Sequence, residues 1–454
     1  MKVLLVGSGA REHALAWRLK QSPRLTRLWV ADGNAGTASI ATNLPVKPDD
    51  VDGIVEAART LGIDLVVVGP EQPLANGIVD RLNAPGIPAF GPTRAASQLE
   101  ASKGFALEVM REAGVPCPEF RVFREQQEAL DWLESHTGPV VVKADGLAAG
   151  KGVSMCATAE EASAAVRACM GDRIFGTAGD TVVIQELLTG PEVSVFAFSD
   201  GQHLSSLAAA CDYKRLEDGD QGPNTGGMGS FTPPDFWNHA LAEEIARTVM
   251  RPVVETMSRQ GTPYMGVLYA GLMLTSTGPK VLEFNCRFGD PETQVVLPQL
   301  ATDPLEVMSA CVDGRLDQVP VTWESNCYVG VVMASGGYPA AYETGFEIDG
   351  LDGEDRSTMI FHAATRQAAD GAPGRLLTSG GRVLTVVGRG ESLAEARARA
   401  YDRVREIRFY GAQYRTDIAA LEQQKGRKWT TGQIAPGGQR CGRPFRKPRH
   451  RASC

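Results

Sequence analysis

The sequence has little that would suit a membrane or an oxidising compartment. Its first apolar run, at residues 3–6, is too short for the core of a signal peptide, and no run approaches the ~20 residues that a membrane span needs. Nine cysteines are scattered without a CxxC pair, so neither a disulfide framework nor a zinc site is expected. We therefore predict a cytoplasmic protein that does not enter a membrane.

The motifs of nucleophilic hydrolases are also missing. The six histidines have no spacing typical of a metal site, and no Gly-x-Ser-x-Gly or Cys/His pattern is present. Glycine, in contrast, is abundant, with 50 residues. Since turns that approach a phosphate closely need residues without a Cβ atom, this composition favours a turn-rich α/β protein.

Positive charge is scarce except at the carboxyl end. The formal net charge of −8 argues against a protein that mainly coats nucleic acid. Residues 422–454 hold nine basic residues and one acidic residue, so the preceding chain carries −16. This segment is rich in Gly and Pro and has no periodicity, which predicts a disordered basic tail. Weak, salt-sensitive RNA binding by the tail is the one nucleic-acid contact that we expect.

Short apolar runs alternate with helical periodicity through the first ~100 residues. This alternation predicts a parallel, doubly wound sheet, with strands at 3–6, 28–30 and 64–68 and helices at 12–20 and 51–61. Hairpins are predicted from 140–143 with 153–155 and from 267–274 with 280–284. The other predicted elements are strands at 181–185, 192–198, 329–334 and 383–387 and helices at 102–113 and 392–408.

A glycine-containing turn, Gly7 to Glu12, follows the first predicted strand and opens a helix. Backbone N–H groups at such a helix start attract phosphate, which suggests a dinucleotide site. Glu12 stands where the dinucleotide motif has its third glycine, which argues against that interpretation. The alternatives are a single phosphate or ribose phosphate held by Gly7, Gly9 and Arg11, and a turn without a ligand.

A second glycine-rich turn joins the first predicted hairpin and has a lysine at each end, Lys143 and Lys151. Its backbone amides can surround phosphate oxygens, and the lysines can neutralise a polyphosphate. It is not a Walker A loop, because no Ser or Thr follows Lys151 and the flanking element is a strand. A flexible hairpin tip with solvated lysines is the alternative.

The most informative segment runs from Leu282 to Glu292. Glu283 and Asn285 are two residues apart on a predicted strand, so both side chains point to one face. A carboxylate and an amide oxygen suit Mg²⁺, which completes its shell with waters and phosphates. Arg287 follows on the same face and could clamp a transferring phosphoryl group. A solvated sheet edge is the alternative, but it does not explain the Gly-Asp-Pro-Glu that begins one residue before Asp290.

Two further segments could contact ligands. The strand at 181–185 leads to Glu186 and Glu192, whose surroundings could take an adenine ring and ribose hydroxyls, or which could be ordinary surface carboxylates. The glycine-rich loop Pro223 to Gly229, downstream of Asp212 and Lys214, could donate backbone N–H groups to an anionic substrate or could be a mobile surface turn.

In this order, the motifs resemble the glycinamide ribonucleotide synthetase family of the ATP-grasp superfamily. The resemblance runs from Met1 to about residue 421 and is most specific at 222–229 and 283–294. The opening Gly-x-Gly-x-Arg-Glu-His-Ala and the Val-Gly-Pro-Glu-Gln-Pro-Leu at 68–74 also match. The resemblance implies ATP-dependent ligation of glycine to 5-phosphoribosylamine, a step of purine biosynthesis, through a glycyl phosphate intermediate.

The resemblance also implies domains and site residues. The domains would be an N-terminal doubly wound domain at 1–101, a split ATP-grasp domain at 102–324 with a lid at about 119–190, a small C-terminal α+β domain at 325–421, and the tail. ATP would be bound by Lys103, Lys143, Gly150, Lys151, Gly152, Glu186, Leu188 and Glu192. Glu283 and Asn285 would bind Mg²⁺ or Mn²⁺, and Arg287 and Asp290 would act in catalysis. The substrates would contact Gly9, Arg11, Asp212, Lys214, Asn224, Thr225, Gly226 and Gly227.

The chain departs from the family pattern in two places. Many ATP-grasp enzymes have another acidic metal ligand on the strand before Glu283, where this chain has Tyr269 to Leu272, so the number of metal ions stays open. The tail has no counterpart in the family. Three other functions stay open at this point: an ATP-grasp enzyme for a different acid, an NAD-dependent oxidoreductase, and a nucleotide-responsive binding module. We expect a monomer.

Overall fold

The structure, a computed structural model, describes residues 1–148, 151–352, 357–368 and 374–420. Gly150, predicted to bind ATP, and the predicted tail at 422–454 lie outside these residues.

The strands of the described residues are β1 (Lys2–Gly7), β2 (Arg27–Asp32), β3 (Thr42–Leu44), β4 (Leu65–Val68), β5 (Ala89–Phe90), β6 (Phe120–Phe123), β7 (Val140–Ala144), β8 (Val153–Cys156), β9 (Val182–Glu186), β10 (Glu192–Asp200), β11 (Ala208–Asp212), β12 (Arg215–Glu217), β13 (Gln221–Asn224), β14 (Gly229–Thr232), β15 (Met265–Thr275), β16 (Gly278–Asn285), β17 (Cys327–Ala334), β18 (Thr358–His362), β19 (Thr365–Gln367), β20 (Leu376–Thr378) and β21 (Arg382–Gly390). The α-helices are α1 (Ala10–Lys20), α2 (Ala35–Ile40), α3 (Val51–Leu61), α4 (Glu71–Ala75), α5 (Ile78–Asn83), α6 (Gln98–Ala101), α7 (Lys103–Ala113), α8 (Gln126–Ser135), α9 (Ala159–Val166), α10 (His239–Ile245), α11 (Arg251–Arg259), α12 (Thr293–Val296), α13 (Pro304–Val312) and α14 (Leu393–Glu406). The π-helical turns are Arg167–Gly171 and Ala246–Met250, and the 3₁₀ turns are Gly176–Gly179, Asp218–Asp220, Leu297–Gln299 and Leu316–Gln318.

The predicted doubly wound sheet is confirmed. Its five strands are ordered β3-β2-β1-β4-β5, and all neighbours are parallel. β1 and β4 are buried almost throughout, as expected of parallel strands that are covered by helices on both faces. Their carboxyl ends bring Gly7 and Glu71 to the same edge of the sheet.

A four-stranded antiparallel sheet, ordered β6-β9-β7-β8, forms the region predicted as a lid. It contains the predicted hairpin, in which Lys143 of β7 is opposite Val153 of β8. Helices α8 and α9 pack on it around their own apolar cluster, which includes Leu130 and Val166. A separate core gives this sheet the independence that a moving lid requires.

The largest sheet has eight strands in the order β16-β15-β10-β11-β14-β17-β21-β18. It crosses the predicted boundary at residue 325, because β14 pairs with β17 over Gly229–Thr232. Small α+β structure at the C-terminus is therefore present as predicted, but its main strands extend the sheet of the preceding domain, which is predicted to be ATP-grasp.

Helix α1 joins the N-terminal sheet to the C-terminal region. The backbone N–H of His362 donates a hydrogen bond to Nδ1 of His13 at 2.8 Å, and the His13 ring meets Phe361 edge-on. Burial, with a contribution from His362, lowers the pKa of His13 to about 3. Burial likewise lowers the pKa of His362 to about 4. Both rings are therefore neutral at physiological pH.

The last helix is shorter than predicted. Ser392 caps it, accepting a hydrogen bond from the backbone N–H of Glu395, and it ends at Glu406 rather than at residue 408. Ile407 is extended, and Arg408 forms a β-bridge with Asp349, so a tertiary strand contact overrides the helical periodicity. Within the described residues, no helix is both long and apolar enough to cross a membrane.

Candidate active site

The two predicted metal ligands, Glu283 and Asn285, lie at the end of β16, beside a β-bulge. In the antiparallel ladder Glu283 is opposite Gly271 and Asn285 is opposite Tyr269, whereas Leu282 has no counterpart on β15. The bulge lies before the pair, so the alternation that places Glu283 and Asn285 on one face is preserved. Opposite Glu283 the chain has only a glycine, which agrees with the missing acidic ligand.

Lys143 connects the lid to this strand. Its Nζ donates a hydrogen bond to the Leu282 carbonyl at 3.1 Å, so the unpaired residue of the bulge supplies the acceptor. Burial lowers the pKa of Lys143 to about 8, and the nearby Glu283 carboxylate only partly opposes this shift. Burial alone would raise the pKa of Glu283, but Lys143 and other lysines hold it below its ordinary value. Glu283 is thus an ionised carboxylate facing cations.

Asp212 and Lys214 lie next to the metal pair. Lys214 Nζ forms an ion pair with Glu192 and is 4.0 Å from Asp212 Oδ1. Burial alone would lower the pKa of Lys214, but the neighbouring carboxylates of Asp212 and Glu192 raise it above the ordinary value. Burial raises the pKa of Asp212, whose side chain is 11 % exposed. The predicted ribose ligand Glu192 therefore has a protein partner that a nucleotide would have to displace.

Arg287 is held by two acidic residues that sequence analysis did not identify. Its Nη2 lies 2.8 Å from Glu100 and its Nε lies 3.1 Å from Glu71. Nη2 also donates to Asn285 Oδ1 at 3.2 Å, so Arg287 orients one of the predicted metal ligands. Arg287 and Arg11 outweigh burial and lower the pKa of Glu71 to about 2. The segment at 68–74 was the signal that could have identified Glu71.

The first glycine turn already contains an anion. The carboxylate of Glu12 accepts a hydrogen bond from the Gly9 backbone N–H at 2.6 Å and another from Arg11 Nε at 2.6 Å. A Cβ atom on Gly7 would lie 2.5 Å from Glu12, so this glycine is needed for the close approach. Glu12 takes the position predicted for a phosphate between Gly9 and Arg11. The same contacts argue against the dinucleotide interpretation.

The amides of the 223–229 loop are also occupied. The Thr225 N–H donates to the Lys214 carbonyl at 2.7 Å, and the Gly227 N–H donates to Thr225 Oγ1 at 2.9 Å. The Gly226 N–H donates to the hydroxyl of Tyr338 at 2.9 Å. In the structure these three groups donate to protein acceptors, and substrate binding by the loop stays a prediction. Asn224 ends β13 and is exposed.

Arg382 ties this loop to Asp290. Its Nη1 donates to the Gly226 carbonyl at 2.6 Å and to the Asp290 carbonyl at 2.9 Å, and it lies 3.3 Å from Asp290 Oδ1. A Cβ atom on Gly9 would lie 3.4 Å from Asp290 Oδ2, so the first turn reaches the same place. Neither Arg382 nor Tyr338 belongs to a motif, and sequence analysis missed both.

The remaining predicted ATP residues lie on or near the lid. Lys103 begins α7, and its Nζ donates to the Gly146 carbonyl at 3.2 Å. Lys151 is exposed, and Gly152 accepts a hydrogen bond from the Ala144 N–H at 2.8 Å. Glu186 forms an ion pair with Lys280 at 3.1 Å, and Leu188 follows the end of β9.

Together these contacts bring residues of the lid and of the large sheet to one place, the candidate cleft. Cations from the lid and from the loop after β11 face an ionised carboxylate and an amide oxygen on β16. Such a donor set fits one hard divalent cation, since Glu283 has no hydrogen bond or ion pair among the contacts of the described residues. A polyphosphate that brings its own cation matches this alternation of charge.

Three family models match the chain. Phosphoribosylglycinamide synthetase N domain matches residues 1–100, its ATP-grasp (A) domain matches 101–293, and its C domain matches 328–421. A phosphoribosylamine–glycine ligase of Allochromatium vinosum is 49 % identical over 422 residues, covering 92 % of this chain and 98 % of that protein. One from Rhodopirellula baltica is 47 % identical over 426 residues, covering 92 % and 97 %.

Solved structures agree. The crystal structure of a phosphoribosylamine–glycine ligase from Thermotoga maritima superposes with a TM-score of 0.79 at 33 % identity, covering 92 % of this chain and all of that one. A biotin carboxylase domain from Hydrogenobacter thermophilus, with a TM-score of 0.70 at 14 % identity over 91 % of each chain, shares the fold alone. The chain therefore belongs to the phosphoribosylglycinamide synthetase family, the phosphoribosylamine–glycine ligases, as its motifs predicted.

Proposed function

We propose that this protein ligates glycine to 5-phosphoribosylamine with ATP, giving glycinamide ribonucleotide, ADP and phosphate in purine (IMP) biosynthesis. The observation that carries the proposal is the hydrogen bond that Lys143 of the lid donates to the Leu282 carbonyl, next to the predicted metal ligand Glu283. The buried ammonium of Lys143 would contact phosphate there, next to the predicted metal ligands. Such a contact is what transfer of a phosphoryl group across the cleft requires.

The reaction is set by the chemistry of the substrate. A carboxylate is a poor electrophile, so the glycine carboxylate would attack the γ-phosphorus of ATP and release ADP. The amine of phosphoribosylamine would then attack the glycyl phosphate and release inorganic phosphate. No protein nucleophile is needed, and the protein contributes by positioning reactants and stabilising charge. Closure of the lid keeps water from the acyl phosphate.

The nucleotide would lie between the lid and the large sheet. Lys103, Lys143 and the turn at 150–152 would contact the phosphates, Glu186 and Leu188 the adenine, and Glu192 the ribose. Glu186 and Glu192 each have a lysine partner, so binding would exchange an ion pair for ribose or adenine contacts. Such exposed pairs are weak, about 0–1 kcal/mol, so the exchange is feasible.

Glu283 and Asn285 would hold Mg²⁺ or Mn²⁺. A bound cation would neutralise phosphate charge. Arg287, which orients Asn285, would stabilise the charge of the transferring phosphoryl group.

The amino substrates would lie on the other side of this pair. That part of the cleft would be lined by Asp212, Lys214, the 224–227 loop, Asp290 and the Gly9 turn. With Glu12 already between Gly9 and Arg11, we propose that Arg11 acts by fixing Glu12 and that Gly9 contacts the substrate without holding its phosphate.

We further propose that the enzyme works as a cytoplasmic monomer. None of the seven cysteines of the described residues forms a disulfide. Large exposed apolar side chains in the same residues are Met155, Ile174, Tyr342 and Tyr410, too few for the core of a stable interface. Light scattering at micromolar concentration tests the oligomeric state.

The decisive experiment is phosphate release from ATP and Mg²⁺, with glycine and freshly made phosphoribosylamine added singly and together. Release only with both substrates, accompanied by glycinamide ribonucleotide in the product mixture, is the expected result. Release with a different acid would leave an ATP-dependent ligase and overturn the substrates. No release under any combination would overturn the proposal.

Lys143→Met provides the site control. It keeps the length of the apolar stem and removes the ammonium, so it should abolish turnover while the thermal midpoint changes little. Lys20→Met, at an exposed lysine in the last turn of α1, is the control for the loss of one positive charge.

A further inference from the structure

Asp145 occupies an unusual position in the lid. It directly follows β7, two residues after Lys143, yet its carboxylate faces away from the lid toward helix α7. Oδ1 accepts a hydrogen bond from the Gly104 backbone N–H at 2.6 Å, and Oδ2 accepts one from Ser102 Oγ at 2.9 Å. The two partners are 41 and 43 residues away in sequence.

The backbone reinforces the same junction. The Lys103 N–H donates to the Asp145 carbonyl at 3.2 Å. Lys103 Nζ donates to the carbonyls of Asp145 at 3.4 Å and Gly146 at 3.2 Å. The start of α7 and the base of the glycine loop are therefore held together by both main-chain and side-chain hydrogen bonds. Lys103 lies at the centre of the junction.

This arrangement is more than the capping of a helix. Ser102 already caps α7 locally, accepting a hydrogen bond from the Phe105 N–H at 3.1 Å. Asp145 adds a second acceptor from another part of the chain, where the first N–H groups of the helix lack partners within it. The addition fixes one element relative to another, which a local cap cannot do.

We infer that Asp145 is a positioning residue that holds Lys103 against the start of the lid's glycine-rich turn, at Asp145 and Gly146, and so sets the spacing between Lys103 and Lys143. The inference rests on the proposed function, in which both lysines contact the phosphates of ATP. Asp145 itself contacts neither lysine ammonium through its carboxylate in the structure, and its role passes through Ser102 and Gly104.

The charge of Asp145 and its positioning contacts should affect ATP binding in opposite directions. An acidic residue beside two phosphate-binding lysines repels a polyphosphate, so removing its charge should strengthen ATP binding if charge were all that mattered. Loss of a positioning contact should weaken ATP binding instead. The sign of the change therefore separates the two roles.

The test is Asp145→Asn, which preserves size but removes the negative charge, and whose single amide oxygen can accept only one of the two hydrogen bonds from Ser102 and Gly104. We expect the KM and the Kd of ATP to rise about tenfold, in line with the loss of hydrogen bonds to a charged acceptor. The KM of glycine should change by less than about twofold, because Lys103 is not near its predicted site. Phosphate release and calorimetric titration with ATP are the measurements.

Two matched variants complete the experiment. Ser102→Ala removes one of the two side-chain bonds and should raise the Kd of ATP by a smaller factor, about two- to fourfold. Asp172→Asn removes an exposed acidic residue elsewhere on the lid and should leave the Kd unchanged. If Asp145→Asn does not fold, Ser102→Ala carries the test.

Unchanged or tighter ATP binding in a folded Asp145→Asn protein, or a thermal shift without a change in Kd, would overturn the inference. Different outcomes would show that the proposed function itself is wrong. In that case Lys103→Met and Lys143→Met would leave ATP affinity unchanged, or the wild-type protein would not turn over glycine and phosphoribosylamine.

Discussion

Replacing Arg287 with alanine should reduce both stability and activity, and the two losses can be separated. Arg287 Nη2 lies 2.8 Å from Glu100, whose side chain is 8 % exposed. Removing one partner of such a buried pair leaves an uncompensated charge, which costs about 3–5 kcal/mol. The Glu71 side chain is 33 % exposed, so solvent screens its charge and we add nothing for it.

Glu100→Gln is the compensating change. In the double variant Arg287→Ala, Glu100→Gln, no buried carboxylate is left without a partner, so the midpoint of urea unfolding should return most of the way to the wild-type value. Activity should not return. Loss of a preorganised cation at the transferring phosphoryl group typically costs about 100–1,000-fold in rate, and the neutral amide introduced at position 100 cannot replace that cation.

The stability loss should also depend on pH. Burial raises the pKa of Glu100 even with Arg287 present. Without Arg287 this pKa rises further, so the folded state binds a proton that the unfolded state has released. Stability must then fall as pH rises through the raised pKa, and the deficit of Arg287→Ala should be larger at about pH 8 than at about pH 5.5.

Urea unfolding followed by tryptophan fluorescence and phosphate release measure the two effects. Equal midpoints for the single and the double variant at pH 8 would refute the claim that Glu100 depends on Arg287. Recovery of turnover in the double variant would refute the catalytic role of Arg287.

Three further predictions concern other parts of the cleft and the domain junction. Glu283→Gln should raise the Mg²⁺ concentration for half-maximal activity by about tenfold, because an amide is a weaker ligand than a carboxylate. A Mg²⁺ titration of phosphate release measures this concentration. An unchanged Mg²⁺ concentration for half-maximal activity would exclude Glu283 as a ligand. Buried His13 and His362 stay neutral in the folded protein, whereas both bind a proton in the unfolded state below about pH 6.5. The free energy of unfolding should therefore fall by up to about 2.7 kcal/mol per pH unit as pH falls from 6.5 to about 4. His13→Phe should halve this part of the slope in urea unfolding. Tyr338→Phe removes the acceptor of the Gly226 N–H and should raise the KM of phosphoribosylamine about three- to tenfold, with the KM of ATP unchanged; a rise in the KM of ATP alone would place the loop at the nucleotide instead.

The sequence predicts the parts of the site that depend on local periodicity. Alternation along β16 is a property of any strand, so the shared face of Glu283 and Asn285 follows from their spacing alone. The buried apolar run of β1 likewise predicts a parallel strand that ends in a turn at Gly7. These predictions need no knowledge of what lies across the cleft.

Partners that lie far apart along the chain are not predictable in this way. Glu100 and Arg287 are 187 positions apart, and Arg382, at the start of β21, contacts Gly226 in the loop before β14, 156 positions away. The occupied amides of Gly9 and Gly226 show the same limit. A glycine-rich turn indicates that an acceptor can approach closely, but whether that acceptor is a ligand or a side chain such as Glu12 depends on packing.

The pairing of β14 with β17 has a consequence for biosynthesis. β14 ends at Thr232 and its partner begins at Cys327, so the edge of β14 stays open until roughly 100 further residues have left the ribosome. At the usual rate of synthesis this lasts on the order of 5–20 s. An unpaired edge is a template for association with other chains. A nascent chain stalled before β17 should therefore aggregate, although its nucleotide-binding half is already complete.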